Sequence, residues 1–220
     1  MGKRAILLGA SGLTGKILLN RLLEDETYDS IRIFTRRSLG LKHDKLKEYV
    51  VDLLQLENYK ADFVGDEVFC CIGTTAKKTK DKAIYRKIDF GIPATAASLA
   101  KANGIKSFLV ISALGANAES TIFYNKTKGE MEQAVLGQEI INTYIVRPSL
   151  IKGKRDEDRL GETIGAIVMK VFRPFLFGKW KKYRAIEAET IANALHALAQ
   201  SKSSDKIIES DKIQEIGAYL

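Results

Sequence analysis

Between Leu8 and Lys16 the chain reads Gly9-Ala10-Ser11-Gly12-Leu13-Thr14-Gly15. The apolar run Ala5-Ile6-Leu7-Leu8 precedes it and a helical pattern follows, so the three glycines fall at a strand-to-helix turn. G-x-x-G-x-x-G is a variant of the dinucleotide fingerprint. One glycine makes the tight turn, one lets backbone approach a pyrophosphate, and one lets the helix pack closely on the strand. The helix N-terminus adds free N–H groups and the positive end of the peptide dipoles. A tight turn that binds nothing can show the same spacing, but the order strand, glycines, helix favours a dinucleotide. The candidate contacts are Gly9, Ser11, Gly12, Leu13, Thr14 and Gly15.

Beyond this loop, short β-rich runs alternate with longer helical patterns, the mark of a parallel sheet covered by helices. Strands are expected at residues 4–9, 30–35, 47–51, 67–72, 106–112 and 142–147. Helices are expected at 13–24, 82–103, 120–136 and 188–201. The fold class is therefore α/β, a doubly wound parallel-sheet Rossmann fold. A length of 220 residues suits one nucleotide-binding domain over 1–220, with a small C-terminal substrate cap at 149–184. The apolar stretch 163–178, interrupted by Lys170 and Arg173-Pro174, reads as a core helix plus a loop within that cap.

A second candidate lies about 20 residues past the loop, where NAD-binding units place an acidic residue on the ribose 2′-hydroxyl. Here the chain reads Thr35-Arg36-Arg37-Ser38. A carboxylate would repel a 2′-phosphate, whereas guanidinium groups contact it with charge assistance. Two solvated arginines at a strand end are the plainer alternative. The position favours NADP(H) over NAD(H), with Asp52 and Leu53 expected at the adenine edge.

A third candidate is Ser112, at the end of the fifth expected strand, followed by Tyr124-Asn125-Lys126-Thr127-Lys128. Tyr and Lys at i, i+4 share a helix face. A phenol that ionises near ~10 is a poor proton carrier at neutral pH. A neighbouring ammonium is expected to bring its pKa down. Such a pair alone is common on solvated helices; with the serine and the glycine loop it becomes specific.

Together, Gly9 to Gly15, Ser112 and Tyr124 with Lys128 resemble the short-chain dehydrogenase/reductase superfamily. Within it the chain is similar to the atypical, Tat-interactive-protein-like NAD(P)H-binding oxidoreductase group. Further resemblant stretches are Phe69-Cys70-Cys71-Ile72-Gly73-Thr74-Thr75, Gly129-Glu130 and Arg147-Pro148-Ser149. The resemblance implies Ser112, Tyr124 and Lys128 as catalytic residues, with Tyr124 and Lys128 also touching the cofactor. It implies Ile72, Gly73 and Thr74 over the nucleotide, and Pro148, Ser149 and Leu150 beside the nicotinamide. Two departures stand out: Cys71-Ile72-Gly73-Thr74 replaces the usual N-N-A-G stretch, and Asp89 stands where many relatives carry asparagine. Two functional readings follow. One is an NADPH-dependent oxidoreductase acting on a small carbonyl or alcohol. The other is a regulatory protein that senses NADP(H) without turnover. Superfamily members often dimerise, which allows a homodimer, although no self-complementary apolar stripe marks its surface.

The remaining features exclude more than they assign. A net charge of +8 permits nucleic acid, acidic membrane or phosphorylated partners. Basic runs at 77–82, 152–155 and 179–184 carry no nucleic-acid motif, so they are read as solvated surface rather than a nucleic-acid site. Trp180, Phe172, Phe175 and Phe177 are expected to pack the cap. His43 and His196 lie far apart without ligand spacing, so no metal is expected. Cys70 and Cys71 are adjacent on a strand and read as packing residues in a reducing compartment. No apolar run is long enough for a signal-peptide core or membrane span, so a cytoplasmic location is expected.

Overall fold

Residues 5–8, 68–70, 108–110 and 144–146 are buried without alternation. Strands covered on both faces show this pattern. The computed structural model describes residues 2–153, 178–201 and 203–218. Its strands in chain order are β1 (Lys3–Leu8), β2 (Tyr28–Thr35), β3 (Leu46–Val50), β4 (Glu67–Cys70), β5 (Ser107–Ile111), β6 (Asn142–Arg147), β7 (Ile151–Lys152), β8 (Ile186–Glu187) and β9 (Ile207–Glu209). Seven of them form one parallel sheet in the order β3-β2-β1-β4-β5-β6-β9, and β7 pairs with β8 separately. The chain winds outward from β1 to β3, then returns to lay β4 against the other side of β1. That reversal makes a crevice at the carboxyl ends of β1 and β4, where open α/β sheets bind ligands.

The helices are α1 (Leu13–Glu24), α2 (Lys82–Arg86), α3 (Ile92–Ala102), α4 (Phe123–Leu136), α5 (Ala188–Gln200) and α6 (Ser210–Gly217). On one face of the sheet, Leu18, Leu19 and Leu22 of α1 share a core with Ile191, Leu195 and Leu198 of α5 and Ile213 of α6. On the other, Ala96, Ala97 and Ala100 of α3 pack with Met131 and Val135 of α4 against Phe34, Phe63 and Phe108. The doubly wound fold expected from the sequence is the fold observed.

Three local features were not in the expected pattern, and each has a physical cause. The single helix expected over 82–103 is split by a π-turn at Lys87–Gly91 between α2 and α3. Pro93 has no N–H to give the Asp89 carbonyl, and its ring crowds that carbonyl, so the helix widens ahead of it. Asp52, expected at an adenine edge, caps the 3-10 turn Leu53–Tyr59 by accepting from Leu54 N at 2.9 Å, and Leu53 is buried beneath it. Both β9 and α6 went unanticipated, because three residues of edge strand leave too short a pattern to read. Of the expected cap, β7 and the 3-10 turn Gly178–Tyr183 are described; β8, which pairs with β7, lies just beyond it. Lys154, Arg155, nearly all of the stretch 163–178, and Phe172, Phe175 and Phe177 lie outside the described residues. Trp180, expected to pack, is 62% exposed and tilts against the Tyr183 ring.

Candidate active site

The glycine loop is shaped by backbone contacts before any ligand is considered. Gly9 has φ +85°, and a Cβ there would lie 2.6 Å from the Cys71 carbonyl oxygen. A Cβ on Gly15 would lie 2.1 Å from the Gly9 carbonyl oxygen. These two residues thus sit under the loop, one to turn it and one to seat α1 on it, and neither lines the cleft. Gly12 is the N-cap of α1 and supplies no capping side chain, so the first-turn N–H groups have no side-chain acceptor. A bare helix N-terminus facing a cleft suits an anionic group such as a pyrophosphate.

The cleft holds about 1180 Å³. Ser11, Gly12, Leu13 and Thr14 form one wall, and Ile72, Gly73 and Thr74, after β4, form the next. Ser112 lines it from just past β5, Tyr124 and Lys128 from α4, and Pro148, Ser149 and Leu150 from the turn after β6. Arg36 and Arg37 do not line it. They are exposed just past β2, where Thr35 Oγ1 donates to the Arg37 carbonyl at 2.9 Å and fixes their turn. Asp52 and Leu53 do not line it either.

Behind Gly73 lies a buried ion pair. Lys128 Nζ is 3.0 Å from Asp89 Oδ1, and both side chains are almost fully buried. Asp89 projects from the π-turn, and its Oδ2 accepts from Thr74 N at 2.8 Å. A Cβ on Gly73 would touch this pair, 3.6 Å from Asp89 Oδ1 and 3.9 Å from Lys128 Nζ. The backbone at Gly73 therefore lies directly over the charge that its neighbour Thr74 helps to hold.

Ser112 reaches the cleft, but its hydroxyl donates to Glu132 Oε1. Glu132 is buried on α4 and accepts from Arg147 Nε at 2.9 Å; Arg147 also donates to Glu209 at 3.2 Å. Hydrogen bonding to Glu132, then its charge and that of Glu209, raises the Arg147 pKa further above the physiological range. A serine hydroxyl has one proton. In this arrangement it goes to Glu132, so Ser112 can accept from a substrate but not donate to it.

Tyr124 keeps 41% of its surface exposed. Its pKa nonetheless lies above the ordinary phenol value. Burial is the largest cause, and the Asp89 charge adds to it, together outweighing the downward pull of Lys128. This departs from the expectation that the ammonium alone would set the phenol: the lysine brings its own buried counter-anion. Glu132 also escaped the sequence reading. Its signal was present, since Tyr124, Lys128 and Glu132 follow at four-residue steps along one helix face.

Other candidates resolve more simply. His196 is bonded to Asp25 at 2.6 Å, and His43 accepts from Lys45 N. Among the described residues no group of His, Cys, Asp or Glu is arranged to hold a metal ion. Cys70 is buried, and burial pushes its thiol up to about 11; Cys71 lines the cleft and is raised for the same reason. Among the described residues no helix is long and apolar enough to cross a membrane.

Comparison with known proteins agrees with this geometry. The family model described as NAD(P)H-binding matches residues 9–201. Protein HTATIP2 of Rattus norvegicus is 30% identical over 221 residues, covering 98% of this chain and 89% of its own. The mitochondrial protein FMP52 of Meyerozyma guilliermondii is 32% identical over 160 residues, 70% of this chain and 67% of its own. Among solved structures, UDP-glucose 4-epimerase of Thermotoga maritima superposes with a TM-score of 0.69 at 16% identity, over 98% of this chain and 83% of its own. L-threonine 3-dehydrogenase of Trypanosoma brucei gives 0.69 at 15% identity, over 96% and 78%. At such identities the structural likeness is one of fold. The chain belongs to the NAD(P)H-binding family, as a relative of protein HTATIP2.

Proposed function

We propose that this protein is an NADP(H)-preferring oxidoreductase that interconverts a small carbonyl compound and its alcohol. The observation that carries this reading is the placing of Tyr124 and Lys128 in the same cleft as the bare N-terminus of α1. When bound, a reduced nicotinamide supplies the hydride that converts a carbonyl carbon into a carbinol carbon. The chain's own residues do the rest. The first turn of α1 holds the pyrophosphate, and Arg36 and Arg37 receive the 2′-phosphate from their exposed turn. Lys128, fixed by Asp89, meets the ribose beside the nicotinamide. Tyr124 gives its hydroxyl proton to the carbonyl oxygen, or takes one back in the reverse direction. With Ser112 donating to Glu132, Tyr124 is the donor on which the substrate oxygen depends.

The test couples binding to turnover. NADPH and NADH are titrated by nucleotide fluorescence, and a carbonyl panel is then added in the same cuvette. Tyr124→Phe should lower turnover by about 10²–10⁴-fold, the usual contribution of a positioned acid–base group. Its NADPH Kd should stay within about twofold, because the phenol oxygen is one contact among many. Full activity in that variant refutes the mechanism. If the native protein binds NADPH but consumes none with any carbonyl, the nucleotide-sensing reading replaces it.

A further inference from the structure

A second cavity, of about 350 Å³, shares Thr74, Thr75 and Tyr124 with the main cleft. Tyr124 is therefore a wall of both. Its other walls include the aromatic rings of Tyr85, from α2, and Phe123, at the start of α4, which meet edge to face with centroids 5.5 Å apart at 65°. Two of its threonines, Thr74 and Thr79, bond each other through their hydroxyls at 2.9 Å. That bond uses one of the two hydroxyl protons, and the surface lining the cavity is mainly apolar. An apolar cavity of about 150 Å³ takes a benzene ring. This one has room for a ring with several further carbons, or a chain of similar bulk.

Its charge is one-sided. Lys80 and Lys82 line the cavity, and among the described lining residues there is no carboxylate. Lys82 Nζ stands 5.5 Å from the centroid of Phe123, so one ammonium lies against the aromatic wall. Asp81, between the two lysines, keeps its charge but does not line the cavity, because its side chain is turned to the start of α2. Its Oδ1 caps α2, accepting from Ala83 N at 2.7 Å and Ile84 N at 3.2 Å. The same cap occupies the N–H groups at the start of α2, so they are not open to an anion. What remains is two exposed ammonium groups with Asp81 between them in sequence, a net charge near +1 that matches a single carboxylate.

We propose that this cavity receives the body of the substrate, an aldehyde or ketone whose ring or short chain carries a carboxylate at its far end. The proposal rests on the oxidoreductase reading above. The carbonyl sits at Tyr124, the apolar body lies against Tyr85 and Phe123, and the carboxylate meets Lys80 and Lys82. In the reductive direction hydride from the reduced nicotinamide bonds to the carbonyl carbon and the C=O π pair moves to oxygen. That oxygen takes the Tyr124 proton, solvent reprotonates the phenolate, and the nucleotide is left oxidised.

The probes are 4-carboxybenzaldehyde and its uncharged methyl ester, each with NADPH. Exposed lysine–carboxylate pairs are individually weak, so the two together should favour the acid about five- to tenfold in kcat/KM. The double variant Lys80→Ala/Lys82→Ala should bring the acid-to-ester ratio to about one. Thr79→Trp, which fills the cavity, should lower kcat/KM for both probes at least tenfold, while NADPH titration shows the variant folded. A ratio unmoved by the lysine substitutions, or full turnover in Thr79→Trp, overturns the cavity assignment and leaves the oxidoreductase reading standing. If the native protein binds NADPH but reduces neither probe, ligand-observed NMR with 4-(hydroxymethyl)benzoate decides. Saturable binding that Thr79→Trp abolishes keeps the cavity and overturns catalysis; no binding overturns the cavity too.

Discussion

Asp89 changes the chemistry expected of the tyrosine–lysine pair. Its Oδ1 meets Lys128 Nζ at 3.0 Å but off the hydrogen-bond direction, whereas Oδ2 is well aligned with Thr74 N. Removing one partner of a buried ion pair leaves the other uncompensated and typically costs about 3–5 kcal/mol, whereas replacing both by apolar groups is often near neutral. Asp89→Ala and Lys128→Met should each cost about that much in urea denaturation, and the double variant should recover most of it. Strict additivity of the two losses would show that the pair does not act as a unit. Asp89→Asn tests the proton chemistry instead. The Asp89 charge helps hold the Tyr124 pKa up, so with Lys128 still protonated its removal lowers that pKa. The phenolate needed for alcohol oxidation then forms at lower pH, and the rising limb of the pH–rate profile should move to lower pH. A limb that stays in place would detach Asp89 from Tyr124. The sequence displayed the tyrosine, lysine and aspartate as separate residues. It could not display that Ser112 is bonded to Glu132, because that contact joins the residue after β5 to α4 through the folded core.

At the scale of elements, what could be read in advance was what depends on local pattern. The six long strands of the sheet came through because apolar runs such as 5–8 and 108–110 need no tertiary context to be recognised. The π-turn did not, because its cause is Pro93 acting on a carbonyl four residues back, inside an otherwise regular helical stretch. Glycines test the same division. Gly15 is required by close approach, since its Cβ would have to displace the Gly9 carbonyl. Gly15→Ala should therefore lower the melting temperature and weaken NADPH binding about tenfold or more, both seen in one thermal-shift titration. Gly91 is helical, with φ −62° and ψ −53°, and its Cβ would meet nothing closer than the Arg86 carbonyl at 4.0 Å. Alanine there should stabilise by about 0.5–1 kcal/mol, because it reduces the freedom of the unfolded chain. A destabilising Gly91→Ala would show that the π-turn needs a glycine for a reason beyond backbone space.

For the whole molecule, the sheet order places the carboxyl ends of β1, β2 and β4 along one edge, so the glycine loop, the Arg36-Arg37 turn and Gly73 can face a single extended ligand. In the proposed reading, part of the net charge of +8 acts at the two exposed arginines and part at Lys80 and Lys82. Ligand linkage makes the connection measurable. A nucleotide at 100 times its Kd stabilises the folded state by about 2.7 kcal/mol. In a chain of this size each kcal/mol moves the melting temperature by about 2–4 °C, so NADPH should raise it by about 5–11 °C. If Arg36 and Arg37 receive the 2′-phosphate, NADH at the same concentration should give a visibly smaller shift. Arg36→Ala/Arg37→Ala should then reduce the NADPH shift to the NADH value while leaving the NADH shift where it was. The comparison separates the arginines' charge from general attraction to a basic protein. Loss of general attraction would weaken both nucleotides together, since both carry the pyrophosphate, whereas a 2′-phosphate contact weakens only one. Equal shifts for NADPH and NADH in the native protein would overturn the cofactor preference and return Arg36 and Arg37 to solvated surface.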